Sequence, residues 1–157
     1  MKLSTKGRYG LRAMLDLCLN ASNQAVSIKS ISERQGISEN YLEQIIATLK
    51  KNDYVKSTRG PKGGYSLMKL PNEISVGDIL RVLEGDLNPV DCVEVNEALT
   101  CQESKLCVTK FVWRKISDSI NQVVDNITLE DLMKEQYRID DENESKLMDN
   151  NKKKGCK

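Results

Sequence analysis

The sequence predicts a mainly α-helical protein with one small β-hairpin, and three stretches carry that prediction. Residues 26–51, VSIKSISERQGISENYLEQIIATLKK, read as two short helices joined by a tight turn at Gly36. Residues 54–67, YVKSTRGPKGGYSL, set two strand-like runs, 54–58 and 65–67, around a Gly- and Pro-rich turn. Residues 108–127 carry Val108, Val112, Ile116, Ile120, Val123 and Ile127 at spacings of four, four, four, three and four, the apolar stripe of one long helix. Together they predict a winged helix-turn-helix followed by a long dimerisation helix.

The elements follow in order. Leu11, Met14, Leu15, Cys18 and Leu19 form a helical stripe that ends in a loop at 20–24, and Cys18 within it reads as a small buried hydrophobe. Lys6, Arg8, Tyr9 and Arg12 lie at or just before the start of this helix, where they can reach phosphates. In the helix after Gly36, Leu42, Ile45, Ile46 and Leu49 share one side and face the core. Asn40, Glu43 and Gln44 project from the other side near the helix start, where a groove-inserted helix meets base edges, with Tyr41 beside them. Ser38 occupies the N-cap position, and Gly36 the left-handed position that closes the preceding helix. By itself this stretch also fits an ordinary helical hairpin in a core.

In the hairpin, Arg59 and Lys62 sit at the tip with little bulk around them, and an arginine on a thin hairpin suits a narrow minor groove. After Pro71, Ser75 and Asp78 make a capping box, Val76, Ile79, Leu80 and Leu83 an apolar face, and Gly85 a stop. A loop over 86–105 leads to the long helix, whose stripe the remaining chain is too short to cover. A second subunit is expected to cover it, placing two reading helices about one DNA turn apart. Phe111 and Trp113 near its start read as packing residues, and Thr128 as the cap of a short last helix through Met133. The expected division is a winged unit at 1–85, a cysteine loop at 86–107, dimerisation helices at 108–136 and a disordered tail at 137–157, whose DDENESKLMDNNKKKGCK has little apolar content.

Charge is unevenly shared. Residues 1–70 hold 12 Lys and Arg against 5 Asp and Glu, a difference of +7, whereas residues 71–151 hold 8 against 18, a difference of −10. A basic half beside an acidic half is expected when one half meets phosphate, and the basic half contains the helix-turn-helix. The 157 residues suit one ordinary domain or a small domain with a helical extension. No apolar run approaches a membrane span, and the first residues lack the apolar core of a signal peptide, so a cytoplasmic protein without membrane contact is expected. No histidine, no Gly-rich phosphate loop after a strand and no nucleophile–base pair are present, so no enzyme activity is expected.

Cys92, Cys101 and Cys107 fall within DCVEVNEALTCQESKLC, separated by eight and five residues. Three thiols in one loop can converge on a metal, since thiolates are preferred ligands of zinc and iron–sulfur clusters. Absent any C-x-x-C pair or histidine, this is not a zinc ribbon, and structural thiols without a ligand fit the spacing equally well. Asp91, Glu94, Glu97 and Glu103 around them raise thiol pKa values and argue against a free reactive cysteine.

KLSTKGRYGLRAM at the start, ISENYLEQIIATLKK, STRGPKGGYSL and the three-cysteine loop together resemble the winged-helix regulators typified by the iron–sulfur regulator IscR, with the nitric-oxide sensor NsrR and the cysteine-metabolism repressor CymR. The resemblance covers roughly residues 1–135. It implies a homodimer that binds double-stranded promoter DNA, with Asn40, Glu43, Gln44 and Arg59 at positions the family uses on DNA; Ser38, Tyr41 and Lys62 beside them are expected to join the DNA-binding set. It also implies that Cys92, Cys101 and Cys107 hold an iron–sulfur cluster, [2Fe–2S] in preference to [4Fe–4S], whose state controls binding. The alternative is a regulator of the same fold with no cluster, controlling cysteine or sulfur metabolism through a partner protein or thiol oxidation. This chain departs from the family pattern at two positions. Lys110 stands where IscR-like members have a histidine, and Arg8 where NsrR-like members have an acid; neither ligates iron readily while protonated. The fourth ligand is therefore open among a loop carboxylate, Cys156 and an exogenous thiol.

Overall fold

The structure, a computed structural model, describes residues 3–20, 24–93 and 107–154, and the side chains within them except those of Cys92 and 147–154. Six helices and a two-stranded antiparallel hairpin make up these residues: α1 Thr5–Asn20, α2 Ile28–Gln35, α3 Glu39–Lys51, β1 Val55–Thr58, β2 Gly64–Leu67, α4 Val76–Glu84, α5 Thr109–Asp125 and α6 Leu129–Lys154. No helix among them is long and apolar enough to cross a membrane.

Local chemistry sets most of the boundaries. Ser27 caps α2 by accepting from Ser30 N, and Gly36 closes it at φ 64° with its N–H donating to Ser32 O. Only glycine enters that left-handed region without a Cβ penalty, and this lets the chain turn sharply into α3. The capping box at α4 is made in both directions, Asp78 N to Ser75 Oγ and Ser75 N to Asp78 Oδ2, each at 3.0 Å. Ser38 is the exception, because it occupies the N-cap position of α3 but its side chain makes no capping hydrogen bond.

The core gathers Met14, Leu17, Ile31, Leu42, Ile45, Ile46, Leu49, Val55, Ile74, Ile79 and Leu129, all inaccessible to solvent. The stripe expected on α1 is rotated. Its buried face is Gly7, Gly10, Ala13, Met14 and Leu17, with Leu11, Leu15, Cys18 and Leu19 half-buried around it. The cause is the closeness of α1 to α4: a Cβ at Gly10 would overlap Leu83 Cδ1, and one at Gly7 would overlap the Glu84 carboxylate. Glycines at that spacing let α4 side chains lie directly against the α1 backbone.

Beyond Val55 in the core, hydrogen bonds fix the hairpin to the body at both strands. Val26 and Tyr65 exchange backbone hydrogen bonds at 2.8 Å in both directions, adding the segment before α2 to the edge of β2. Lys50 at the end of α3 donates from Nζ to Ser57 Oγ of β1 at 2.7 Å.

Beyond α4 the chain returns to the same body. Val76 N donates to Ile127 O at 2.8 Å and Leu129 N to Ile74 O at 3.0 Å, stitching the α5–α6 turn to the start of α4. Arg81 of α4 reaches Asn121 Oδ1 and both carboxylate oxygens of Asp125 on α5 at 2.7–2.8 Å. The last helix differs from expectation, since α6 continues to Lys154 rather than ending near Met133 ahead of a disordered tail. Its exposed turns carry ion pairs at helical spacing, Lys134 with Glu130 and Arg138 with Glu135 and Glu142, together with Gln136 to Asp140. Such pairs sustain the outer turns of a helix whose apolar residues packed against the core, Leu129 and Leu132, lie in its first turn.

Candidate nucleic-acid interface

Helix α3 divides sharply between two faces. Leu42, Ile45, Ile46 and Leu49 are fully buried, and at about 1.5–3 kcal/mol for each such side chain they anchor the helix to the body. Glu39, Asn40, Glu43, Gln44, Ala47 and Lys50 are exposed on the other side. The amide and carboxylate groups of Asn40, Glu43 and Gln44 thus sit exposed on the outward face of the helix start. Tyr41 differs from its neighbours: it is half-buried, packs against the core and meets Tyr9 of α1 edge-on, with ring centroids 6.0 Å apart at 82°. Much of this ring serves the α1–α3 contact.

Arg59 and Lys62 are both exposed in the turn between β1 and β2. Gly60 there has φ 117°, a conformation open to glycine alone, and Gly63 N donates to Gly60 O at 2.8 Å. A Cβ on Gly63 would strike backbone atoms of the same turn, so the tip can be this narrow only with glycine. Between the tip, the start of α2 and the end of α1 lies an open recess of about 410 Å³, lined by Ser27, Ser30, Arg34 and Lys62 among others. The Lys50–Ser57 bond that joins α3 to the hairpin was not legible from spacing, because it depends on how β1 folds back beside α3.

Cys18 is half-buried, and desolvation pushes its thiol up to about 12, as expected for a packing residue. The cysteine loop is only partly within the described residues. Cys101 and Cys156 lie outside them, as does the side chain of Cys92, whose backbone sits in a 3-10 turn at Asp91–Val93 against α5. Cys107 is exposed just before α5, its Sγ 3.1 Å from Thr109 Oγ1. Among the described residues no three acidic or thiol side chains gather as a metal site. The two described ends of the loop, at Cys92 and Cys107, both adjoin α5. Asn88 also ties the loop to α5, accepting from Ser117 Oγ at 2.5 Å.

The stripe on α5 proves to be two faces. Ile120, Val124 and Ile127 pack onto Val76, Leu80 and Leu87, while Val108, Phe111, Val112, Ile116 and Val123 point outward, Val108 at 84% and Phe111 at 66% exposure. Phe111, expected to pack, is instead largely exposed with Lys115 Nζ 5.9 Å from its ring centroid, and Trp113 is half-buried.

The family model described as "Rrf2: Iron-dependent Transcriptional regulator" matches residues 3–135. Protein rrf2 of Nitratidesulfovibrio vulgaris is 42% identical over 135 residues, covering 86% of this chain and 89% of the relative. The HTH-type transcriptional regulator IscR of Pectobacterium atrosepticum is 44% identical over 133 residues, covering 85% and 79%. Among solved structures, T. potens IscR superposes with a TM-score of 0.71 at 48% identity, covering 87% of this chain and 88% of that one. CymR, the global cysteine regulator of B. subtilis, gives 0.70 at 42%, covering 85% and 97%. With its helical body, its hairpin wing and these likenesses over most of its length, this chain belongs to the Rrf2 family of transcriptional regulators, which are not enzymes.

Proposed function

We propose that the protein is a cytoplasmic homodimer that binds double-stranded promoter DNA and changes its binding with iron–sulfur or redox status. The observation that carries the DNA part is the two-faced α3, fully buried on one side and presenting Asn40, Glu43 and Gln44 on the other, bonded through Lys50 to the wing that holds Arg59 and Lys62. In this reading α3 enters the major groove, where Asn40 and Gln44 address adenine edges and Glu43 accepts from cytosine N4. Arg59 enters the neighbouring minor groove, and Ser38, Tyr41 and Lys62 contribute contacts around these two anchors. The outward Val108, Phe111, Val112, Ile116 and Val123 of α5 form the face that the second subunit covers.

Cys92, Cys101 and Cys107 are the residues that would hold a cluster, [2Fe–2S] before [4Fe–4S]. Bound there, it supplies a cross-link that iron supply, oxygen or nitric oxide can remove. The chain's own part is mechanical. Both loop ends adjoin α5, and α5 is clamped to the winged unit through Arg81 and, just past its end, the Val76–Ile127 bond, so order in the loop is communicated to the spacing of the two reading helices. A second reading is favoured by Lys110 and Arg8 at the two positions where related sensors supply a fourth ligand, and by the likeness to CymR at a TM-score of 0.70. In it the same fold carries no cluster and responds through a partner protein or thiol oxidation.

Anaerobic purification with iron and sulfide analysis separates the two readings. The cluster reading expects visible absorption that Cys92→Ala, Cys101→Ala and Cys107→Ala each abolish and Cys18→Ala preserves. Colourless protein without iron or sulfide would overturn it in favour of the second.

A further inference from the structure

Asp16 is a charged side chain in the body of the protein, 2% exposed in the middle of α1 between Ala13 and Leu17. An ionised carboxylate at such a depth is costly unless every lone pair is met. Here three donors meet it, all from the end of α2. Arg34 donates as a fork, Nε to Oδ2 at 2.9 Å and Nη2 to Oδ1 at 2.6 Å, and Gln35 Nε2 donates to Oδ2 at 2.9 Å. The arrangement continues outward. Gln35 accepts from Arg12 twice, at Oε1 from Nε (3.1 Å) and at its backbone oxygen from Nη2 (2.6 Å). The Arg12 guanidinium lies 5.6 Å from the centroid of the Tyr9 ring, and Tyr9 meets Tyr41 at the start of α3 edge-on.

These contacts bracket the turn that launches α3. Arg34 and Gln35 are the last residues of α2, Gly36 makes the turn, and Ser32 Oγ donates to Ile37 O at 2.6 Å within it. Two planar, two-point interactions, carboxylate to guanidinium and guanidinium to amide and carbonyl, therefore fix the end of α2 against α1. Fork geometry restricts rotation as well as distance, which a single charge contact does not. If stability were the sole benefit, an apolar pair would serve as well or better at a buried position. What the fork adds is direction, and the element it directs is the one that presents Asn40, Glu43 and Gln44.

We propose that Asp16 is a positioning residue for DNA reading: by clamping Arg34 and Gln35 it sets the angle at which α2 delivers α3 to the groove. The inference rests on the DNA-binding reading above. Its test uses full-length protein, a duplex selected from a random pool by the parent protein, and a scrambled duplex of the same length. Asp16→Asn turns one accepting oxygen into an NH2 that faces Arg34 and Gln35 donors. Arg34→Lys, at a side chain that is 38% exposed, keeps the cation but loses the fork. The readout is the ratio of affinities for selected and scrambled duplex at fixed salt, with near-UV circular dichroism confirming a packed fold.

Each single variant is expected to lower the ratio about tenfold, and the double variant no further, because both substitutions break the same lock. The salt slope on the scrambled duplex should match the parent's, since no phosphate contact is removed. An Asp16→Asn protein that melts earlier but keeps the parent's ratio would overturn the proposal and leave Asp16 a purely structural group. Arg34→Lys keeping the full ratio would also overturn it, and decides the matter alone if Asp16→Asn does not fold. A parent that shows no preference for any duplex would overturn the DNA reading itself, a result distinct from either.

Discussion

Replacing Glu84 with alanine should loosen the first turn of α1, although 77 residues separate it from Gly7. Glu84 Oε1 accepts from Ser4 N at 3.1 Å, Ser4 Oγ at 2.6 Å and Gly7 N at 2.9 Å. Ser4 already supplies a local cap, accepting at Oγ from Lys6 N at 3.0 Å, so the carboxylate is a second cap delivered from α4. Hydrogen bonds to a charged acceptor contribute about 1.5–3 kcal/mol net where water is excluded. Two of the three lie in exposed surroundings, and the freed N–H groups can rehydrate, so the sum is nearer the loss of a single strong cap, about 2 kcal/mol. For a chain of this size that corresponds to a fall in Tm of about 4–8 °C. The assay is thermal denaturation at fixed protein concentration, because association raises apparent stability. Amide hydrogen exchange gives the location, with Gly7 expected to exchange faster in Glu84→Ala and amides in α3 unchanged. Glu84→Gln keeps an acceptor but loses the charge that favours a helix N-terminus, and should fall between. A Glu84→Ala protein that melts within 1 °C of the parent would refute the long-range cap.

Gly10→Ala sets two effects against each other: higher helix propensity gains about 1 kcal/mol, and overlap with buried Leu83 costs about 1–3 kcal/mol. The clash should win, with chemical denaturation showing a net loss of about 1 kcal/mol, and a stabilised variant would mean that α1 and α4 are not so close. Cys18, with its thiol held at about 12, should resist iodoacetamide at pH 8 until the protein is unfolded. Its proton is bound more tightly in the folded state, so this protection persists up to pH values well above the ordinary cysteine range; labelling of native protein at the rate of a free thiol, read by mass spectrometry, would contradict it.

What the sequence made legible was mostly local. Gly36, Gly85 and the Ser75–Asp78 box announce helix ends because each acts on neighbours within a few residues, and the structure shows each at its expected boundary. The buried face of α3 followed from the spacing of four apolar residues. Gly7, Gly10 and Gly77 carried no such message, because the groups that need their missing Cβ atoms, Glu84, Leu83 and Asp125, lie far along the chain. Two glycines three residues apart on a helix were the available signal for a close crossing. Asp16 carried no signal in the sequence, because its burial depends on α2 folding over it. Composition misjudged the chain after Tyr137, since low apolar content argues for disorder only where charges do not pair at helical spacing, as Arg138 does with Glu135 and Glu142. The stripe on α5 was legible as apolar, but its division into an inner and an outer face depended on where α4 packs.

The central claim is that α3 and the wing together read DNA. It is tested most directly by anisotropy titration of parent, Arg59→Ala and Glu43→Ala proteins against the selected duplex and its scrambled counterpart over a range of salt. The account predicts that log affinity of the parent falls linearly with log salt. Arg59→Ala should bind more weakly and lose sequence preference in the flanking minor groove, whereas Glu43→Ala should relax base preference more than it lowers affinity. Binding by the parent that ignores both salt and sequence, or variants that discriminate as the parent does, would contradict it.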